Sequence, residues 1–384
     1  MKKILIISAN TQKIIPWLGL FDELLNKGYS FYLAGKDNLK FIKNKKPEWK
    51  ISKIFFSPVP EHLVGKIFYF ILNILLFPYY LIYFFYLKNK GEISAIICLG
   101  DKEAAAAILP AAFLKIKILW FLENDSRFLK KRPSFIFSLA LKIGGRKISI
   151  IAPNDYLKEK IKSWEIKDQY TKIIYPGIKL NKHEYQDNIF SGLARAKGEN
   201  LRQKFFTLGI CAKLDKNQGL ETLFNAVKIC LPIIPNLQLI IMGDGEEKKN
   251  FSWLAKKMEI ETITWFVGEQ ARLNKWLEGI NCFIVLPSNR QLNDQNNVLS
   301  AMGAGRPVIA PNGAGFEEIM PQISRESGCI VKQDDVETLA RQIIKLWRNK
   351  ILRSKIKQAN IEMVEKYFSA QKQAAEFEKI IYEK

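Results

Sequence analysis

Asn281 to Met320 reads NCFIVLPSNRQLNDQNNVLSAMGAGRPVIAPNGAGFEEIM, and the order of its parts decides the fold. Cys282 to Leu286 is an unbroken apolar run, short enough for a buried strand. Pro287 to Gln295 is polar and turn-forming, and Val298, Leu299, Ala301 and Met302 then fall on one helical face. Gly303 and Gly305 close that helix, and Pro307 starts the next short strand, Pro307 to Ala310. A strand, a polar loop and a helix start, expected here near Asn297, form the arrangement that presents backbone N–H groups to a phosphate.

Working outward, strands and helices alternate through both halves of the chain. Ile4–Ser8, Ser30–Ala34, Ile51–Phe56, Ala95–Leu99, Ile116–Phe121 and Ile148–Ala152 read as strands of a first domain. Phe205–Ile210, Leu237–Gly243, Thr262–Val267, Cys282–Leu286 and Pro307–Ala310 read as those of a second. Between them lie half-buried helical patterns such as Leu220, Leu223, Phe224 and Val227. This alternation predicts an α/β protein with parallel sheets covered on both faces. At 384 residues the chain is long for one core, and 48% hydrophobic residues suffice for two. The boundaries fall at 1–178, a polar linker at 179–204, a second domain at 205–365, and a last helix at 366–384.

The opening MKKILIISAN has an apolar run too short for a signal sequence and reads as a first strand. Five cysteines, odd in number, widely spaced and mostly in apolar runs, suit reduced core thiols of a cytosolic protein and argue against a zinc or disulfide framework.

Charge is uneven. Residues 1–175 carry 29 Lys and Arg against 14 Asp and Glu, a net of +15, and the remainder 30 against 24, a net of +6. Arg127–Lys147 has seven basic residues and no acidic one, interleaved with aromatics, and Lys36–Lys53 adds seven lysines. Such a pattern fits an anionic lipid surface, and equally a composition that spreads lysine over every solvated face; clustering in one half favours the lipid surface. No nucleic-acid motif accompanies the charge, so a nucleic-acid partner is not expected. Ile67 to Leu87 is a 21-residue run without a charge, flanked by Lys66, Lys88 and Lys90. Its length is enough to span a bilayer, but it lies inside an α/β domain and contains Asn73 and Pro78. A buried or interfacial helix pair is expected there.

The segment 281–320 resembles the sugar-nucleotide half of family-4 retaining glycosyltransferases of the GT-B fold. The family's pattern is roughly D-x-F-x-x-P-S, a Glu, seven residues, a second Glu, then A-M-A-x-G-x-P-V-I and G-G-x-x-E-I-I. Phe283, Pro287, Ser288, Leu299, Ala301, Met302, Gly305, Pro307, Val308, Ile309, Gly315, Glu318 and Ile319 carry the resemblance, with Asn296 among them. Leu292 and Ser300 stand where the two glutamates belong. Leu208–Gly219, LGICAKLDKNQG, is similar to V-G-R-L-x-x-x-K-G, with Lys213 for the Arg and Gln218 for the Lys. Pro235–Gly245 resembles P-x-x-x-L-x-I-x-G-x-G, and Thr264–Gly268 resembles V-x-F-x-G. Joint occurrence in this order is more specific than any single glycine-rich element.

The resemblance implies two Rossmann-like domains facing across a cleft, with the last helix, 366–384, packing back on the first. It implies transfer of a sugar, with retention, from a nucleotide-sugar to a lipid-linked or polysaccharide acceptor in cell-envelope glycan synthesis. Such a protein is expected in the cytoplasm, peripheral to the membrane. No metal or cofactor is expected, because fixed cations and helix N-termini offset the diphosphate charge. By resemblance Lys213 contacts the diphosphate and stabilises the leaving group, with Gln218 as a neutral donor beside it. Gly243 and Gly245 turn the chain near the base, and Asn296, Asn297, Ser300 and Glu318 line the donor site. On the acceptor side relatives place a His after the strand corresponding to Ile116–Phe121, where the nearest counterpart is Glu123. His62 and His183 match no catalytic pattern. The other reading is a degenerate module that keeps the fold and binds a nucleotide or partner without catalysis.

Overall fold

The structure, a computed structural model, describes residues 2–8, 13–35, 46, 48–53, 63–122, 142–162, 166, 168–180, 205–216, 219–270, 273–286, 291–313 and 315–383. It divides into two compact units, residues 1–177 with 370–384, and residues 178–369.

Unit 1 is built on a seven-stranded sheet. Its strands are β1 (Lys2–Ser8), β2 (Tyr29–Gly35), β3 (Lys50–Lys53), β4 (Ala95–Leu99), β5 (Lys117–Phe121), β6 (Ile148–Ala152) and β7 (Thr171–Ile173). The order is β3-β2-β1-β4-β5-β6-β7, and every pairing is parallel. Parallel strands are covered on both faces, which is why β4 and β6 are buried at every residue and carry no polar alternation. The helices are α1 (Leu18–Asn26), α2 (Leu63–Asn89), α3 (Asp101–Phe113) and α4 (Asp155–Lys162). The helix pair expected over Ile67–Leu87 is instead the single helix α2, which continues through Pro78. Tyr80, Phe84 and Leu87 of α2 belong to one core cluster with Ala104, Ala107, Ile108 and Ala111 of α3. The small side chains of α3 leave room for those rings, so packing holds α2 in one piece where a proline alone would favour a break.

Unit 2 repeats the plan with six strands in the order β10-β9-β8-β11-β12-β13, again all parallel. In chain order it runs β8 (Phe206–Cys211), α5 (Leu220–Cys230), β9 (Leu237–Met242), α6 (Lys248–Lys257), β10 (Thr264–Gly268), α7 (Leu273–Leu277) and β11 (Cys282–Ile284). It continues with α8 (Gln291–Gly303), β12 (Val308–Pro311), α9 (Phe316–Ile319), α10 (Gln322–Glu326), β13 (Ile330–Val331), α11 (Val336–Arg348) and α12 (Lys350–Tyr367). The periodic residues Leu220, Leu223, Phe224 and Val227 are all buried, as are Val298, Leu299, Ala301 and Met302. Asp335 and Asn349 cap α11 and α12 by accepting from Thr338 N and Leu352 N at 2.9 and 2.8 Å.

The last helix, α13 (Ala370–Tyr382), belongs to unit 1 and packs beside α1. Its Glu378 pairs with Lys27 at 2.5 Å, and Tyr382 Oη lies 2.8 Å from Tyr29 Oη. Lys2 Nζ sits 3.6 Å from the Tyr382 ring centroid. Burial, reinforced by the Glu378 carboxylate, holds the Tyr29 phenol far above its ordinary pKa, so it stays a hydrogen-bond donor.

The expected strands match within two residues at their described ends, β11 among them, which stops at Ile284 where Leu286 was expected. The two short strands β7 and β13 were not anticipated, because two or three residues carry no period to read. The linker beyond residue 180 and most of the two basic runs lie outside the described residues.

Candidate functional site

β8 and β9 run side by side in full register from Phe206↔Leu237 to Cys211↔Met242, and their pairing continues past the strand ends. Ala212 N donates to Met242 O at 3.0 Å, Leu214 N to Asp244 O at 3.0 Å, and Glu247 N to Leu214 O at 2.9 Å. The loops 212–216 and 243–247 are therefore stitched together as one platform at the carboxyl ends of two central strands. That is where ligands bind in open α/β sheets.

The two glycines owe their identity to this stitching. A Cβ on Gly243, whose φ is 145°, would lie 1.8 Å from Ala212 O. One on Gly245 would lie 2.3 Å from Leu214 O. Both neighbours are backbone atoms and cannot swing away, so the close approach of the two chains requires glycine whether or not a base sits nearby.

Lys213 stands on this platform. Its Nζ lies 2.6 Å from Asp215 Oδ2, with the two side chains 41% and 31% exposed. An exposed pair of this kind contributes about 0–1 kcal/mol, so a stronger anion can displace the aspartate. Gly219, with φ 69°, ends the loop and starts α5.

Across the sheet, α8 begins at Gln291, six residues before the expected start near Asn297. Asn297 thus sits in the second turn, where backbone N–H groups close helical bonds and are not free for a phosphate. Its side chain is used instead, bonding to the thiol of Cys211 at the end of β8. Burial, then the charges of Asp294 and Glu269, push that thiol up to about 11, and the Asn297 bond works against them. Asn297 on α8 and Cys211 at the end of β8 thus come together from separate elements, a pairing that no local stretch of sequence shows.

Residues 292, 296 and 300 follow at i, i+4 and i+8 of α8 and so form one row along it. Asn296 and Ser300 in that row are half-buried, while the Leu292 side chain is outside the described residues. After β12, Gly313 and Gly315 turn the chain at φ 85° and 79°. Glu317 is spent on that turn, accepting from Gly313 N at 2.6 Å. Glu318, half-buried in α9, follows it. Gln218, Glu123, His62 and His183 lie outside the described residues. The structure thus places Lys213, Gly243 and Gly245 together on the β8–β9 platform, and Asn296, Asn297 and Ser300 together on α8.

Residues 205–349 match the family model described as "Glycosyl transferases group 1". Among curated relatives, the chain is 27% identical over 154 residues to the lipopolysaccharide core biosynthesis glycosyltransferase LpsE of Rhizobium meliloti, covering 40% of this chain and 43% of that one. It is 24% identical over 200 residues to the capsular polysaccharide biosynthesis glycosyltransferase CapM of Staphylococcus aureus, covering 51% and 50%. These matches span about half the length of the relatives or less. Among solved structures, Anabaena Alr3699/HepE in complex with UDP-glucose is similar over 99% of both chains, with a TM-score of 0.74 and 15% identity. The glycosyltransferase WaaG, involved in lipopolysaccharide biosynthesis, matches 97% of this chain and 99% of its own, with a TM-score of 0.63 and 11% identity. With two parallel α/β sheets and these structural neighbours the fold is GT-B, and residues 205–349 carry the similarity to group 1 glycosyltransferases.

Proposed function

We propose that this protein transfers a sugar, with retention of anomeric configuration, from a nucleotide-sugar donor to a lipid-linked or polysaccharide acceptor. The setting is cell-envelope glycan synthesis at the cytoplasmic membrane face. The observation that carries the reading is Lys213 on the β8–β9 platform, inside the segment that matches the group 1 family. A cation fixed at the carboxyl end of a central strand stabilises charge that develops on a departing nucleoside diphosphate. It does so most when the site is closed to water. Gln218 supports it as a neutral donor, Asn296, Asn297, Ser300 and Glu318 contact the rest of the donor, and Glu123 serves the acceptor side. Relatives in lipopolysaccharide and capsule synthesis support the acceptor class, and a neighbour bound to UDP-glucose makes UDP-sugars the first donors to test.

The second reading, a module that binds nucleotide without turnover, rests on Leu292 and Ser300 standing where the family has glutamates. Calorimetry with UDP-, GDP-, ADP- and CMP-sugars separates the two, followed by a hydrolysis and transfer assay with whichever binds. Binding with slow donor hydrolysis is the expected result. Binding with no turnover in any acceptor mixture favours the second reading, and no binding at millimolar concentration sinks both.

A further inference from the structure

Helix α2 does not match its surroundings in water. It carries no charge from Ile67 to Leu87, yet from Leu75 on, where its side chains are described, one side is covered and the other exposed. Tyr80, Phe84 and Leu87 are buried on that side. On the opposite side Leu75, Tyr79, Ile82, Phe85 and Tyr86 are between 42% and 68% exposed. Their spacing sets them in one stripe, about 16 Å long at 1.5 Å per residue. Phe113, 53% exposed at the end of α3, extends the patch through its edge contact with Phe77 at 5.6 Å. A surface helix with water as its sole outer environment carries polar residues on the wet side. A contiguous patch of large apolar side chains marks a surface that something else covers.

The charges beside the patch decide what that is. Lys88 and Lys90 end α2, and Lys88 Nζ donates to Leu114 O at 2.7 Å. Lys115 follows, and Lys147 Nζ donates to its carbonyl at 2.8 Å. The Lys88 and Lys147 ammonium groups thus meet neighbouring carbonyls just past the end of α3, the Lys90 ammonium bonds to Tyr86 Oη, and Lys115 is exposed between them, in a chain of net charge +21. A second copy would bring this cationic rim against itself. An anionic lipid surface meets both features, taking the apolar stripe into its interfacial layer and the lysines at its headgroups. Tyr79 and Tyr86, with apolar rings and polar tips, suit that layer. Crossing the bilayer does not fit, because β3 and β4, on either side of α2 in sequence, lie in one parallel sheet. Among the described residues no helix is long and apolar enough to cross a membrane.

We propose that the Leu75–Tyr86 face of α2, with Phe113, docks in the interfacial layer of an anionic bilayer, oriented by Lys88, Lys90, Lys115 and Lys147. This deepens the membrane-face reading above and rests on it, but needs neither donor nor acceptor for its test. The protein should sediment with phosphatidylcholine vesicles that contain phosphatidylglycerol, less with phosphatidylcholine alone, and be released as salt rises. The variant Ile82→Asp/Phe85→Asp should bind about tenfold less at fixed lipid. Lys90→Glu/Lys147→Glu should lose the salt-sensitive part. Circular dichroism and thermal melts of both should match wild type, since the four side chains are exposed. If the aspartate pair unfolds the protein, Ile82→Gln/Tyr86→Gln serves in its place. Wild-type binding by the apolar-face variant, or equal recovery with neutral and anionic vesicles, overturns the proposal. So does a wild-type dimer that the apolar-face variant dissociates, since a second copy would then cover the stripe. Nucleotide calorimetry without vesicles reports separately on the transferase reading, so either can fail alone.

Discussion

Lys213 is held by a weak partner, and that sets the expectation for two substitutions. If Lys213 holds the diphosphate as proposed, Lys213→Ala should lose a charge-assisted bond, about 1.5–3 kcal/mol, or roughly ten- to hundredfold in affinity. Asp215→Asn frees the ammonium 2.6 Å away and should tighten binding by up to about fivefold. Calorimetry with the best donor nucleotide checks both, and a matching loss in the two variants would mean that the pair acts as a unit. Ser300→Glu tests the row on α8: if the family's ribose acceptor belongs there, binding should tighten by about 1–3 kcal/mol, less the cost of desolvating the new carboxylate. Weaker binding by a folded variant would mean that the site is shaped around the smaller residue. Gly245→Ala is a different kind of change. Its Cβ would meet Leu214 backbone at 2.3 Å, so the platform must open, and urea unfolding should show a loss of about 2–4 kcal/mol.

Among the elements, α13 shows how a short helix is fastened by polar contacts as well as by its buried Ala374 and Phe377. The Lys27 ammonium, with help from Tyr29 and Lys2, holds the Glu378 carboxyl below its ordinary pKa. A carboxyl depressed in the folded state adds stability above its ordinary value, about 4.3. That contribution fades as pH falls through the depressed value. Glu378→Gln should therefore melt below wild type at pH 7, and the gap should close on acidification through the carboxylate range. A gap that persists once the Glu378 carboxyl is protonated in the folded and unfolded wild type alike would assign the effect to packing instead. The sequence pattern was enough to expect a terminal helix. Its fasteners lie some 350 positions away, with Lys27 and Glu378 separated by 351 residues, and no local pattern could name them.

On the scale of the whole molecule, unit 2 is one continuous stretch, residues 178–369, whereas unit 1 needs both chain ends. A fragment of residues 178–369 has its own six-stranded sheet and covering helices, and should unfold cooperatively by itself. It should also keep whatever nucleotide affinity the β8–β9 platform supplies. A fragment of residues 1–177 lacks α13, leaving Tyr29, Lys27 and Lys2 without their partners, and should melt lower than the same fragment given a peptide of residues 370–384. Equal melting with and without the peptide would show that α13 adds nothing to unit 1.

Alternation of apolar runs and 3.6-residue patterns was enough to specify two parallel α/β layers, because a strand covered on both faces has to be apolar throughout. The order of motifs around Lys213, Gly243, Gly245 and Ser300 was enough to point to the group 1 glycosyltransferases that residues 205–349 resemble, since each is local in the chain. Other features depended on distant segments meeting. The sequence placed a helix start near Asn297, but the start is set at Gln291, leaving the Asn297 amide to bond Cys211. It marked Gly243 and Gly245 as turns near a ligand, but they are required by the backbone of residues 212–214, which no local window contains. It offered a helix pair over Ile67–Leu87, but packing on the alanines of α3 keeps one helix and leaves one face bare. Periodicity reports what a segment can bury; which neighbour buries it, and which face stays exposed, is settled only when the sheets assemble.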